Sequence, residues 1–147
     1  MIAIDTSALI AILRREDEAE AFARVIAEAE RCFFSAVGLL EASMVMIGRG
    51  SPELVTLLDA LVQELAIEIV PFDENLARES RGAFIRFGKG RHSAGLNFGD
   101  CVSYALAQTR GLPLLYKGAD FAKTDVIGAV KGLTTEARGT GEENNGP

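Results

Sequence analysis

Short apolar runs alternating with helical periodicities predict an α/β domain on a mainly parallel central sheet of about five strands. Three observations carry that expectation. Strand-length apolar segments recur at 1–5, 32–35, 67–70 and 112–116, with a weaker one at 127–130. The segments between them carry apolar residues at three- and four-residue spacing. The chain has 147 residues, 48% hydrophobic and 24% charged, which suits one soluble domain with a real core.

Met1-Ile2-Ala3-Ile4-Asp5 opens the sheet, and Phe22, Val25, Ile26 and Ala29 then mark one helical face. Cys32-Phe33-Phe34-Ser35 is the second strand. A helix carrying Glu41 follows, with Val37, Met44 and Val45 on the same face three and four residues away, so Glu41 is expected to point inward. Ser51-Pro52 starts the next helix, with proline at its first position and Leu54, Leu57, Leu58, Leu61 and Leu65 on one face. Ile67-Glu68-Ile69-Val70 is the third strand. Asp73 then suits the N-cap of a helix over 73–87 that buries Leu76, Ala77, Ala83, Phe84 and Phe87. Gly88 to Gly99 reads as a glycine-rich basic loop, and Asp100 starts a helix that Gly111 ends. Pro113 suits only a strand start, which allows the fourth strand to begin at Leu114. The ordered domain is expected over 1–133. From 134 to 147 the chain is rich in Gly, Glu and Asn without apolar periodicity, and it reads as a disordered tail. No internal repeat is present.

The net charge of −6 argues against a polyanionic partner when taken alone. Its distribution qualifies that. Arg78 to His92 holds five basic residues (Arg78, Arg81, Arg86, Lys89, Arg91) and one acid, Glu79, a local +4 against −10 elsewhere. Such a stripe can hold phosphates, especially beside bound cations. Cys32 and Cys101 have no metal-ligand spacing and read as reduced core residues. No stretch approaches a membrane span, and Met1–Asp5 lacks the basic start of a signal peptide, so a cytoplasmic location is expected.

Four of the 21 acids stand apart: Asp5, Glu41, Asp100 and Asp120. Each lies in or beside an apolar stretch, where an ionised carboxylate is costly unless a positive charge meets it. No lysine or arginine is spaced to pair with all four. Asp5 lies at the carboxyl end of the first strand and Asp120 just beyond that of the fourth. Ligands of open parallel sheets bind outside those ends, where strand order reverses. If the two strands are neighbours there, both aspartates face one pocket. Asp100 sits at a helix N-terminus, which favours an anion. Singly, Asp5 and Asp100 read equally well as N-caps and Asp120 as a turn residue, whereas an acid on an apolar helix face, as at Glu41, has few structural roles. Jointly they favour a hard-metal site. Oxygen-only ligands point to Mg²⁺ or Mn²⁺ rather than Zn²⁺, and His92 is the only histidine.

These residues also carry a family resemblance. Ile4-Asp5-Thr6-Ser7-Ala8-Leu9, Leu40-Glu41, Gly95-Leu96-Asn97-Phe98-Gly99-Asp100-Cys101 with Tyr104-Ala105-Leu106-Ala107, and Leu115-Tyr116-Lys117-Gly118-Ala119-Asp120-Phe121 with Thr124-Asp125 are similar to the four motifs of PIN-domain ribonucleases. Within that family the chain resembles the VapC toxins of type II toxin–antitoxin systems over roughly residues 1–131. The resemblance implies a three-layer α/β/α PIN-like fold and a Mg²⁺-dependent endoribonuclease, with Mn²⁺ as a substitute. It makes Asp5 and Asp100 the metal ligands and Glu41 and Asp120 supporting carboxylates of the catalytic pocket. It implies an RNA substrate, a cognate VapB-type antitoxin that blocks the pocket, commonly with a basic side chain, a homodimer, and operator DNA bound only through the antitoxin complex.

Other residues keep two readings. Thr6 and Ser7 either orient Asp5 or bond a metal water, or they cap the helix, and Thr124 and Asp125 either shape the pocket or supply a second N-cap. Arg86, Lys89, Arg91 and His92 either grip RNA phosphates or form a solvated basic loop. Lys117 is a further phosphate-contact candidate, while Tyr104 and Phe98 read as core. Two other classes compete. A haloacid-dehalogenase-like phosphatase also places an aspartate after its first strand, but wants an acid two residues later, where Ser7 stands. A receiver domain would want an acidic pair that Glu28 and Glu30 do not supply in place. The non-enzymatic alternative is a binding module whose acids only cap helices.

Overall fold

Ile2, Ala3 and Ile4 form the central strand, and their burial on both sides explains why the chain opens with apolar residues and no alternation. The computed structural model describes residues 1–130; the 134–147 tail expectation and the domain boundary at 133 lie outside them. In chain order the elements are β1 (Ile2–Ile4), α1 (Thr6–Leu13), α2 (Ala19–Glu28), β2 (Cys32–Ser35), α3 (Ala36–Gly48), α4 (Glu53–Glu64), β3 (Glu68–Val70), α5 (Glu74–Phe87), α6 (Phe98–Arg110) and β4 (Leu114–Leu115). A short 3-10 helix follows at Phe121–Lys123.

The sheet is parallel throughout, in the order β3-β2-β1-β4. Its strands pair Ile4 with Phe34 and with Leu115. Successive residues feed opposite layers, as strand geometry requires. Ala3, Phe33, Val70 and Leu114 pack towards α5 and α6, while Ile2, Ile4, Phe34 and Leu115 pack towards α1, α2, α3 and α4. The result is the expected three-layer α/β/α sandwich. Full burial of residues such as Phe34 and Leu9 stabilises it by roughly 1.5–3 kcal/mol each.

The fifth strand expected at 127–130 shrinks to a bridge. Leu114 N–H donates to the Ile127 carbonyl and Ala129 N–H to that of Leu114, both at 2.8 Å, and among the described residues the pairing goes no further. Three other expectations shift. The last helix starts at Phe98 rather than Asp100, because Asn97 caps it and Asp100 closes a reciprocal capping box. Pro52 is the N-cap of α4 rather than its first helical residue. Phe84, Leu57 and Met44 are exposed, although periodicity placed them on apolar faces, and so is Phe98, which read as core. Asp73 caps α5 as expected, accepting from Leu76 N–H at 2.8 Å, and Gly111 ends α6 in the left-handed conformation at φ 62°. Among the described residues no helix is long and apolar enough to cross a membrane.

Candidate active site

Strand order reverses between β1 and β4, and the site forms at that point. β2 and β3 lie to one side of β1, and β4 pairs on the other. Asp5, the first residue beyond β1, is stitched to β4 through its backbone, donating to the Leu115 carbonyl at 2.9 Å. Its side chain is buried, with 3% exposure of the residue. Asp5 Oδ2 accepts from Ser7 N–H at 3.0 Å and from the Ser7 hydroxyl at 2.6 Å. Ser7 Oγ in turn accepts from Lys117 N–H at 3.0 Å. A hydroxyl has one proton, so Ser7 must give it to Asp5. Capping and orienting, two readings of this segment, are therefore one arrangement.

Glu41 projects from α3 towards the N-terminus of α6. Its carboxylate lies against the Cα of Gly99, where a β-carbon would overlap Oε2 and sit 2.7 Å from Oε1. Burial pushes the Glu41 carboxyl up, a bond from the Thr6 hydroxyl pulls it down, and the charge of Asp5 raises it again. The Thr6 hydroxyl donates to the Gly38 carbonyl at 3.4 Å.

Asp100 faces these acids from the first turn of α6. Its Oδ2 accepts from Asn97 N–H at 3.0 Å. Burial comes first in pushing its carboxyl up to about 6; the Asn97 bond opposes this, and the charges of Asp5, Glu41 and Asp120 add to it. Asp120 is exposed at the start of the 3-10 helix, and its side chain makes no capping bond there. Among the described residues no lysine, arginine or histidine forms an ion pair with any of the four carboxylates. No three Asp, Glu, His or Cys side chains there are gathered tightly enough to enclose a metal outright. The arrangement is an under-compensated anionic pocket that suits a hydrated divalent cation.

The pocket opens into a cleft of about 490 Å³ lined by Val37, Leu40, Glu41, Met44, Val45 and Phe98. The exposure of Leu40, Met44 and Phe98 follows from this cleft; Phe98 alone is 69% exposed. Glu41 thus reaches Gly99 with its carboxylate and also lines this groove.

The remaining candidates divide. Thr124 forms a local turn, its hydroxyl donating to the Phe121 carbonyl at 2.6 Å and accepting from Val126 N–H at 3.2 Å. Asp125 stands apart from the four acids and accepts from Arg86, Gln108 and the Tyr104 hydroxyl. Arg86 is therefore already paired, and its guanidinium also covers the Phe87 ring at 4.8 Å. Lys117 is held by Glu16 at 3.2 Å and Glu18 at 3.1 Å. Lys89, Arg91 and His92 are exposed on the loop before α6. His92 Nδ1 accepts from Ala94 N–H at 3.0 Å, and its ring packs edge-on against Phe87 with centres 5.0 Å apart. Tyr104 is buried as expected, with a hydrogen-bonding role that its apolar neighbours did not signal.

Comparisons with known proteins agree with this geometry. The PIN domain family model matches residues 2–127. Ribonuclease VapC28 of Mycobacterium tuberculosis is 48% identical over 124 residues, covering 84% of this chain and 93% of the relative. Ribonuclease VapC of Mycolicibacterium smegmatis is 43% identical over 123 residues, covering 84% and 95%. In structure, M. tuberculosis VapC20, a toxin that cleaves the sarcin-ricin loop, superposes with a TM-score of 0.72 at 17% identity, covering 86% of this chain and 97% of that one. A toxin–antitoxin complex from Klebsiella pneumoniae gives 0.63 at 17% identity, with 86% and 95% covered. The chain belongs to the PIN-domain family and, within it, to the VapC ribonuclease toxins.

Proposed function

We propose that this chain is a Mg²⁺-dependent endoribonuclease that hydrolyses RNA phosphodiester bonds at the Asp5–Glu41–Asp100–Asp120 pocket, with Mn²⁺ able to substitute. The observation that carries the reading is that Asp5, Glu41 and Asp120 act on Asp100 beside the strand-order reversal, with none of the four ion-paired among the described residues. Asp5 and Asp100 would hold the metal, and Glu41 and Asp120 would complete the pocket directly or through waters. Bound there, Mg²⁺ supplies a water of lowered pKa and positive charge for the scissile phosphate. Ser7 holds Asp5 by two hydrogen bonds, and the Asn97 N–H holds Asp100. Lys89, Arg91 and His92, exposed on the loop before α6, would be the site's phosphate contacts. The haloacid-dehalogenase alternative loses ground because Ser7, in place of the required second acid, spends its proton on Asp5.

The family carries a partner with it. The exposed cleft of Leu40, Met44 and Phe98 with Glu41 on its wall suits an antitoxin segment bearing apolar side chains and one basic group. A homodimer, and operator contact through the antitoxin only, complete the proposal.

The test is cleavage of a long single-stranded transcript by purified protein, with and without EDTA, in wild type, Asp5→Asn and Asp100→Asn. Cleavage lost in all three challenges supports the reading. Full activity in EDTA would refute metal dependence, and a fully active variant would refute the ligand assignment.

A further inference from the structure

The loop that carries Asp120 leaves the sheet after Leu115 and returns at Ile127 to Ala129, where two 2.8 Å hydrogen bonds flank Leu114. Between these points its backbone touches no other strand. Asp120 itself is exposed and has no capping bond to hold its side chain. Something else must set where it sits.

Lys117, three residues before it, donates its N–H to Ser7 Oγ at 3.0 Å, and Lys123 Nζ reaches the Ser93 carbonyl at 3.5 Å; two further fastenings bear on the loop. Phe121 is buried beside Tyr116, with ring centres 5.2 Å apart, and anchors the inner side of the loop. Asp125 fastens the outer side. It accepts from the Tyr104 hydroxyl, from Gln108 Nε2 at 3.2 Å and from Arg86 at 3.0 Å. Gln108 and Arg86 also donate to the Tyr104 oxygen, at 3.0 and 3.3 Å. These bonds hold the Asp125 carboxyl below its ordinary range, the Tyr104 hydroxyl being the largest cause.

The register of α6 gives the fastening its meaning. Asp100, Tyr104 and Gln108 are spaced by four and share one face. The loop lies along that face: Asp120 is near enough to Asp100 to raise its pKa, and Asp125 bonds the next two turns. The helix is thus a straight edge against which the loop is aligned at two places.

We propose that Asp125, clamped by Tyr104, Gln108 and Arg86, is a positioning residue that sets the approach of Asp120 to Asp100. The inference rests on the endoribonuclease reading above and adds a device to it. It also gives Arg86 a task other than gripping RNA. Supporting residues around a metal pocket typically govern roughly 10–100-fold of affinity or activity.

The experiment compares wild type, Asp125→Ala, Tyr104→Phe, the double variant and Arg86→Gln as full chains, well below their melting temperatures. It reads kcat and KM on a defined transcript, and the Mg²⁺ concentration for half-maximal thermal stabilisation. The expected result is a fall in kcat and a rise in the Mg²⁺ midpoint, each roughly tenfold, in Asp125→Ala, with KM for RNA unchanged. The double variant should be no worse than Asp125→Ala, because one latch is broken either way. Folded variants with unchanged kcat and Mg²⁺ midpoint would overturn the proposal. So would a raised KM confined to Arg86→Gln, which would make Arg86 a phosphate contact. A wild type that binds Mg²⁺ without cleaving RNA refutes the activity reading alone, since the Mg²⁺ midpoints still judge the latch.

Discussion

The Glu41 carboxylate rests against the backbone of Gly99, in space that any β-carbon would claim. The two residues are on different helices, so the glycine before Asp100 is a requirement of Glu41 rather than of its own helix. Alanine is the better helix former by about 1 kcal/mol, and Gly99→Ala should therefore fold. It must push Glu41 out of the pocket. Cleavage should fall at least tenfold, roughly the scale of a misplaced supporting group. Adding Glu41→Gln to Gly99→Ala should cost little more, and additive losses in a double-mutant cycle would show that the glycine acts otherwise.

Ser7 is the hinge of a relay from Lys117 N–H to Asp5. Ser7→Ala strips the buried carboxylate of one donor and leaves the Lys117 amide without its acceptor. Hydrogen bonds to charged groups contribute about 1.5–3 kcal/mol, so urea unfolding should show a loss of roughly 2 kcal/mol. Ser7→Thr keeps the hydroxyl and should recover most of it. Equal losses in both variants would place the effect in packing instead.

The raised carboxyl of Asp100 ties stability to pH in a particular direction. From its ordinary 3.8 up to about 6, the folded chain keeps a proton that the unfolded chain has released. Stability therefore falls as pH rises through that window, and Glu41 contributes in the same sense. Asp125 runs the other way, but its contribution is lost only as pH falls below the ordinary carboxylate range. The metal-free protein should gain less melting temperature between pH 7 and pH 5 in Asp100→Asn than in wild type, and the variant should melt higher at pH 7. An identical pH response in both proteins would contradict the raised carboxyl of Asp100, whose first cause is burial.

Divalent metal should relieve the same repulsion. Saturation at a hundred times the dissociation constant stabilises a protein by about 2.7 kcal/mol. Millimolar Mg²⁺ or Mn²⁺ should accordingly raise the melting temperature of wild type by several degrees and that of Asp5→Asn by much less. Equal shifts in the two proteins would place the metal elsewhere.

Much of this was readable from local pattern. The four strands and the three layers follow from runs whose apolar residues must all be covered, and the acids stood out against those runs. Asp5 and Asp120 could be assigned to one pocket because β1 and β4 needed only to be neighbours, as they are. Periodicity failed where an apolar face lines a groove instead of a core, as at Met44, and the core reading of Phe98 failed at the same groove, since burial depends on what packs over a residue. The start of α6 was misplaced by two residues because Asp100 resembles a cap; Asn97 three residues earlier was the available signal for a capping box. The latch at Asp125 was invisible for a different reason. Its partners lie 17, 21 and 39 residues away, and only the fold brings them together.

The most direct test of the whole account is to map RNA 5′ ends in cells after inducing wild type and Asp5→Asn in parallel. The account predicts discrete new ends with wild type that are absent with the variant at equal protein level. The same ends with both proteins would contradict it, because the buried carboxylate at the end of β1 would then have no part in cleavage.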